Sequence, residues 1–117
     1  EAPEIPVIDG TLNGKIGVEY QYAVLSTDTE EHTVMYFVDW GDGSDTGWIG
    51  PYDSGEQVIQ SHQWSKKGSY TIQVKARDSY LVQSEWGTLV VSMPAPVPLL
   101  YRMYSWIFDF LFSLLSV

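Results

Sequence analysis

Gly68-Ser69-Tyr70-Thr71-Ile72-Gln73-Val74-Lys75-Ala76-Arg77-Asp78 alternates side-chain character from one residue to the next, with Tyr70, Ile72, Val74 and Ala76 on one parity and Thr71, Gln73, Lys75 and Arg77 on the other. A period of two marks a β-strand with one buried face. The same period recurs on both sides of it. Val18, Tyr20, Tyr22 and Val24 alternate around Glu19 and Gln21, Tyr36, Val38 and Trp40 do likewise, and Leu89, Val91 and Met93 supply a last strand. Asp9-Gly10, Asn13-Gly14, Gly41-Asp42-Gly43-Ser44 and Lys67-Gly68 read as turns, because these residues supply positive φ or side-chain hydrogen bonds. Roughly seven short strands with this punctuation over about 90 residues predict an antiparallel β-sandwich, with an open barrel as second choice. No amphipathic helix is visible before Pro98.

The chain has 117 residues, enough for one domain of about 90 residues and an appendage. Six basic residues face fifteen acidic ones, a formal net charge of -9. Lys66-Lys67 and the pair Lys75 and Arg77 form no extended basic surface, which speaks against nucleic acid as a partner. The absence of cysteine removes disulfides, thiolate metal sites and cysteine nucleophiles together. The first residue is Glu1, and no basic stretch followed by an apolar run precedes the first strand, as expected if a leader has been removed. The expected location is extracellular or at the cell surface.

Val38-Asp39-Trp40-Gly41-Asp42-Gly43-Ser44, then His62-Gln63-Trp64, then the Gly68 to Asp78 strand, stand in an order that resembles the PKD domain family. That family carries a W-D-F-G-D-G type strand and turn, an H-x-Y corner and a G-x-Y-x-V strand ending in Asp. Val38 replaces the usual first aromatic, Trp40 stands where Phe is common, and Trp64 replaces Tyr; each keeps an apolar residue at a position expected to be buried. The resemblance covers roughly residues 5–93. It implies an Ig-like sandwich of cell-surface or secreted proteins, without catalysis, and is silent about partners.

Asp39, Asp42 and Asp45 crowd one turn and are weak candidates for a hard cation such as Ca²⁺. Their spacing is not that of a Ca²⁺ loop, and the favoured role for Asp42 is to accept backbone N–H bonds within the turn. His32 and His62 belong to no recognisable acid–nucleophile pairing, so His62 reads as structural and no catalytic residue is assigned. No cofactor is implied. Trp40, Trp64 and Trp86 are expected in the core. Trp48, Tyr52 and Trp40, near Asp and Gly residues in one loop region, keep a glycan ligand open, with Trp48 balanced between core and ligand.

The organisation is a sandwich over 1–92, a proline-rich spacer over 93–98 and an apolar helix over 99–117. Leu99, Leu100, Met103, Trp106, Ile107, Phe108, Phe110, Leu111, Phe112, Leu114 and Leu115 make this tail hydrophobic nearly all round. As a helix it would be about 28 Å long, close to the roughly 30 Å hydrocarbon core of a bilayer. Arg102, Ser105, Asp109, Ser113 and Ser116 nevertheless share one narrow stripe. A carboxylate in mid-membrane costs roughly 2.5–3.5 kcal/mol, and Arg102 lies at the end nearest the sandwich with no basic residue beyond it. Arg102 and Asp109, too far apart to pair within one helix, would meet between axially shifted copies. Burial of the tail among copies of itself would supply on the order of 20 kcal/mol per subunit as an upper bound. The sequence therefore predicts a non-catalytic structural subunit that self-assembles into a homopolymer through its C-terminal helix. The alternative is a surface binding module for a glycan or protein, with the tail in a membrane.

Overall fold

The structure is a computed structural model and describes residues 1–30 and 32–94. Seven strands follow one another: β1 Val7–Gly10, β2 Tyr20–Leu25, β3 Val34–Asp39, β4 Asp45–Tyr52, β5 Val58–His62, β6 Gly68–Arg77 and β7 Gly87–Met93. They form two sheets, β1-β2-β5 and β4-β3-β6-β7, in which every strand pair is antiparallel. Among the described residues no helix is long and apolar enough to cross a membrane.

The alternating pattern works as the sequence implies. Tyr22 and Val24 of β2, Val34, Tyr36 and Val38 of β3, Ile72, Val74 and Ala76 of β6, and Val91 and Met93 of β7 point between the sheets and are buried. Tyr20, Tyr70 and Leu89 are half-buried at the margin of this core, whereas Val18 lies outside β2 and is exposed. The Tyr36 hydroxyl crosses the sandwich, accepting from the Ser26 amide at 2.8 Å and donating to the Ser26 carbonyl at 3.3 Å. Trp40 and Trp64 close one end around Tyr22, whose ring lies 6.0 and 5.9 Å from theirs.

Some local readings change. Asp9 and Gly10 are not a turn but the end of β1, paired with Ala23 and Tyr22. Glycine is needed at position 10 because the Tyr22 ring lies across it, 2.3 Å from where a Cβ would stand. Trp48 and Tyr52 belong to strand β4 rather than a loop. The turn-rich composition of Asp45–Tyr52, with Gly47, Gly50 and Pro51, hides the strand, which is tolerated because β4 is an edge strand. Met93 is the fully buried last residue of β7, paired with Gly68, so the spacer starts after it. The expected helix with Leu99–Val117, its Arg102–Asp109 pair and most of the proline spacer lie outside the described residues.

Candidate functional site

The two ends of the sandwich hold different chemistry. β3 and β6 are antiparallel, with Met35 opposite Arg77 and Asp39 opposite Gln73, so the end of β3 and the start of β6 share one pole. There the three sequence-selected aspartates are occupied with turn hydrogen bonds. Asp39 Oδ1 accepts from the Gly41 amide at 2.9 Å, Asp42 Oδ1 from the Ser44 amide at 3.0 Å, and Asp45 Oδ1 from the Gly47 amide at 2.9 Å. Asp42 Oδ2 meets His62 Nε2 at 2.8 Å, and the imidazole lies flat on the Trp40 ring, 4.6 Å between centroids and 2° between planes. His62 thus ties down the Asp42 side chain of the turn, a structural role. Burial pushes the Asp42 carboxyl up, but the hydrogen bonds from Ser44 and His62 outweigh it and hold the group below its ordinary range. The Ser44 hydroxyl also donates to Asp42 Oδ1. Because the carboxylate stands between hydroxyl and imidazole, the geometry is not that of a base activating a nucleophile.

On the outer face of the four-stranded sheet, Phe37 sits between Trp48 and Trp86, at 5.7 and 6.2 Å. Arg77 covers the Trp48 ring at 4.2 Å and Lys75 stands over Trp86 at 4.9 Å. These contacts occupy ring faces with the protein's own cations. Trp86 is 37% exposed, unlike the buried Trp40 and Trp64, because its neighbours Glu85 and Gly87 put it on the outward parity of the strand that follows. Trp48 is half-buried.

At the opposite pole, the chain leaving β2, the segment two residues before β3 and the residue after β6 bring Asp28, His32 and Asp78 together. One ligand-type atom from each lies within 4.8 Å of the others. The Asp28 side chain has no exposure and the His32 side chain has 26%. Asp28 Oδ1 accepts from the Glu30 amide at 3.0 Å, and Asp78 Oδ1 accepts from the Tyr80 and Val82 amides, both at 2.9 Å. Each carboxylate therefore spends one oxygen on its local turn. The second oxygens, Asp28 Oδ2 and Asp78 Oδ2, are buried without a hydrogen-bond partner among the described residues, as is His32 Nδ1. His32 Nδ1 stands 3.4 Å from Asp28 Oδ2 and 3.6 Å from Glu30 Oε2. Sequence reading passed over this group, although a signal was present: Asp28, His32 and Asp78 continue the inward parity of Tyr22-Val24-Ser26, Val34-Tyr36-Val38 and Ile72-Val74-Ala76.

Among solved structures, the chain is similar to the PKD domain of an M14-like peptidase from a Thermoplasmatales archaeon, with 47% identity and a TM-score of 0.80 over 81% of this chain and 98% of that one. The chain belongs to the PKD domain family. Two more distant structures share the fold. One is the PKD domain of the human VPS10 domain-containing receptor SorCS2, at 20% identity and a TM-score of 0.59 over 82% of this chain and 77% of that one. The other is the CARDB domain of the PF1109 protein from Pyrococcus furiosus in complex with di-metal ions, at 16% identity and a TM-score of 0.57 over 80% and 90%. No family model and no curated protein matches the chain. Within this PKD domain, the Trp-Gly-Asp-Gly turn and the His62 corner have a joint structural purpose: Asp42, His62, Trp40 and Trp64 lock one pole of the sandwich. PKD domains are usually extracellular or surface modules, and the neighbours of this chain are PKD and Ig-like domains, which are typically non-catalytic.

Proposed function

We propose that this PKD domain is a non-catalytic extracellular structural subunit that displays its sandwich outward and assembles with copies of itself through the apolar tail. The observation that carries this reading is the contrast between the two parts of the chain. Among the described residues the sandwich forms a core over residues 8–93, with Trp64, Tyr22 and Tyr36 fully buried. The tail, by its composition, needs cover from water, and Asp109 amid its apolar residues favours a protein neighbour over acyl chains. The -9 formal charge suits a head kept apart from other heads by repulsion while tails associate.

Deletion of 99–117 tests this directly, with particle size followed by light scattering and negative-stain imaging. Large homopolymers of the full chain and a monomeric truncated sandwich are the expected pair of results. Polymers that persist without the tail would overturn the proposal. So would a full chain that stays monomeric in detergent and partitions into lipid vesicles, which is the behaviour of an anchored surface module. Charge reversal refines the test: R102D and D109R should each weaken assembly and the double variant should restore it if the two side chains pair between subunits.

A further inference from the structure

We propose that Asp28, His32 and Asp78 form a binding site for a first-row divalent transition metal of the Zn²⁺ class, at the pole of the sandwich opposite the Asp42–His62 lock. Two buried carboxylates stand here with no Lys or Arg in salt-bridge range among the described residues. Removing a carboxylate from water is costly unless a cation or hydrogen bonds replace the lost hydration. Hydrogen bonds replace it on the Oδ1 side alone, since three backbone amides are aimed there. Among the described residues Oδ2 of each aspartate and His32 Nδ1 are buried with no hydrogen-bond partner, His32 Nδ1 stands 3.4 Å from Asp28 Oδ2, and a ligand atom of Asp78 lies within 4.8 Å of ligand atoms of both. This is the division of labour of a metal centre, in which outer hydrogen bonds orient each ligand and leave one lone pair for the ion.

The imidazole decides the class of metal. Ca²⁺ takes six to eight oxygens in a loose shell, roughly 2.3–2.6 Å away, and three donors including a nitrogen serve it poorly. A mixed nitrogen and carboxylate set suits Zn²⁺ and its neighbours, which bind imidazole and carboxylate at about 2.0–2.2 Å. His32 Nδ1 and Asp28 Oδ2 are already 3.4 Å apart, close to the roughly 3.3 Å separation of two ligands on a tetrahedral ion. A ligand atom of Asp78 lies within 4.8 Å of the other two, and a small shift of its carboxylate about the amide-held Oδ1 completes the set. Glu30 Oε2, 3.6 Å from His32 Nδ1, or a water molecule is at hand for the fourth position.

Such an ion clips both sheets together. Asp28 follows β2 of one sheet, whereas His32 and Asp78 flank β3 and β6 of the other. In a chain without disulfides, the clip adds a crosslink where the sandwich is held by loops, and anything that binds the folded state alone raises its stability.

The test uses the full chain in mild detergent, stripped with EDTA and dialysed into a non-chelating buffer. Zn²⁺ is titrated by calorimetry and thermal unfolding is followed with added Zn²⁺ or Ca²⁺. One Zn²⁺ per chain is expected, with Tm raised by on the order of 10 °C at a hundredfold excess over Kd. H32A should weaken Zn²⁺ by at least roughly a hundredfold, beyond the tenfold to hundredfold or so that loss of an outer partner costs. D28N and D78N, which keep shape and turn hydrogen bonds, should weaken it as well. H32A folds independently of the result, because that side chain is partly exposed, and its far-UV spectrum checks this. No Zn²⁺ heat and no Tm shift would overturn the assignment, as would Zn²⁺ binding that survives both H32A and D78N. A Tm response to Ca²⁺ that exceeds the response to Zn²⁺ would overturn the choice of metal class.

Discussion

Replacing Gly41 by alanine separates two reasons for a glycine that sequence alone cannot tell apart. Gly41 and Gly43 both have positive φ, +81° and +92°, in the same turn. For an L-residue this costs roughly 1–2 kcal/mol, offset by about 0.4–1 kcal/mol because alanine is less free than glycine in the unfolded chain. G43A should therefore destabilise by about 1 kcal/mol or less, since a Cβ there meets nothing within 4 Å. At Gly41 the added carbon would stand 2.6 Å from the Thr71 carbonyl oxygen and 3.0 Å from its amide nitrogen. Thr71 belongs to β6, where it pairs with Val90 of β7 two residues before the Gln73–Asp39 pair with β3 begins, so the obstacle is backbone that cannot withdraw without disturbing a ladder. Overpacking of this kind adds about 2–3 kcal/mol, which brings G41A to roughly 3–4 kcal/mol. Urea unfolding read by tryptophan fluorescence measures the difference. With m about 1.3 kcal/mol/M, the two midpoints should lie roughly 2 M apart, G41A being the lower. Equal shifts for the two variants would refute the reasoning, because the strain they share would then explain everything and the contact with Thr71 nothing.

Three further outcomes follow from buried groups. Y36F leaves the buried Ser26 amide without its acceptor and should cost about 1–3 kcal/mol by the same urea assay; a loss below about 0.3 kcal/mol would show that the amide finds another partner. Burial holds the hydroxyls of Tyr22 and Tyr36 above their ordinary value of 10.0, in Tyr36 against a partial counter-effect of its bond to Ser26. Stability from these groups is complete below pH 10 and lost as pH rises through their folded-state values, so midpoints should fall in strong alkali and fall less in Y36F. Asp42 works in the other direction. Its folded-state value lies below 3.8, so its contribution is complete above that pH and disappears as pH falls through the folded value. D42N should therefore be less stable than the native chain at neutral pH and converge on it in acid, and a constant gap down to pH 2 would count against the Asp42–His62 link.

The fold was legible because every long strand announces itself by parity. Tyr70, Ile72, Val74 and Ala76 must share a face in any extended chain, and a face of that kind needs another sheet to cover it. Motif order added the family. β4 stayed hidden because an edge strand is free to carry Gly47, Gly50 and Pro51, and local composition then outweighs pairing. The Asp39, Asp42 and Asp45 turn drew attention by density, yet its carboxylates are spent on amides only two residues away. Asp28, His32 and Asp78 drew none, because four to fifty residues separate them along the chain and no local pattern joins all three.

By itself, the sequence determined strand parity, the sandwich class, the acidic surface and an apolar segment that water cannot cover, since all of these follow from the order of side chains along a chain of known geometry. Which oxygens are left without partners, which glycine faces a backbone and which tryptophan is covered by a cation were decided by tertiary structure alone. Those properties depend on distances between strands, and the pairing of β3 with β6 sets them by bringing residues far apart in the chain to a common end of the sandwich.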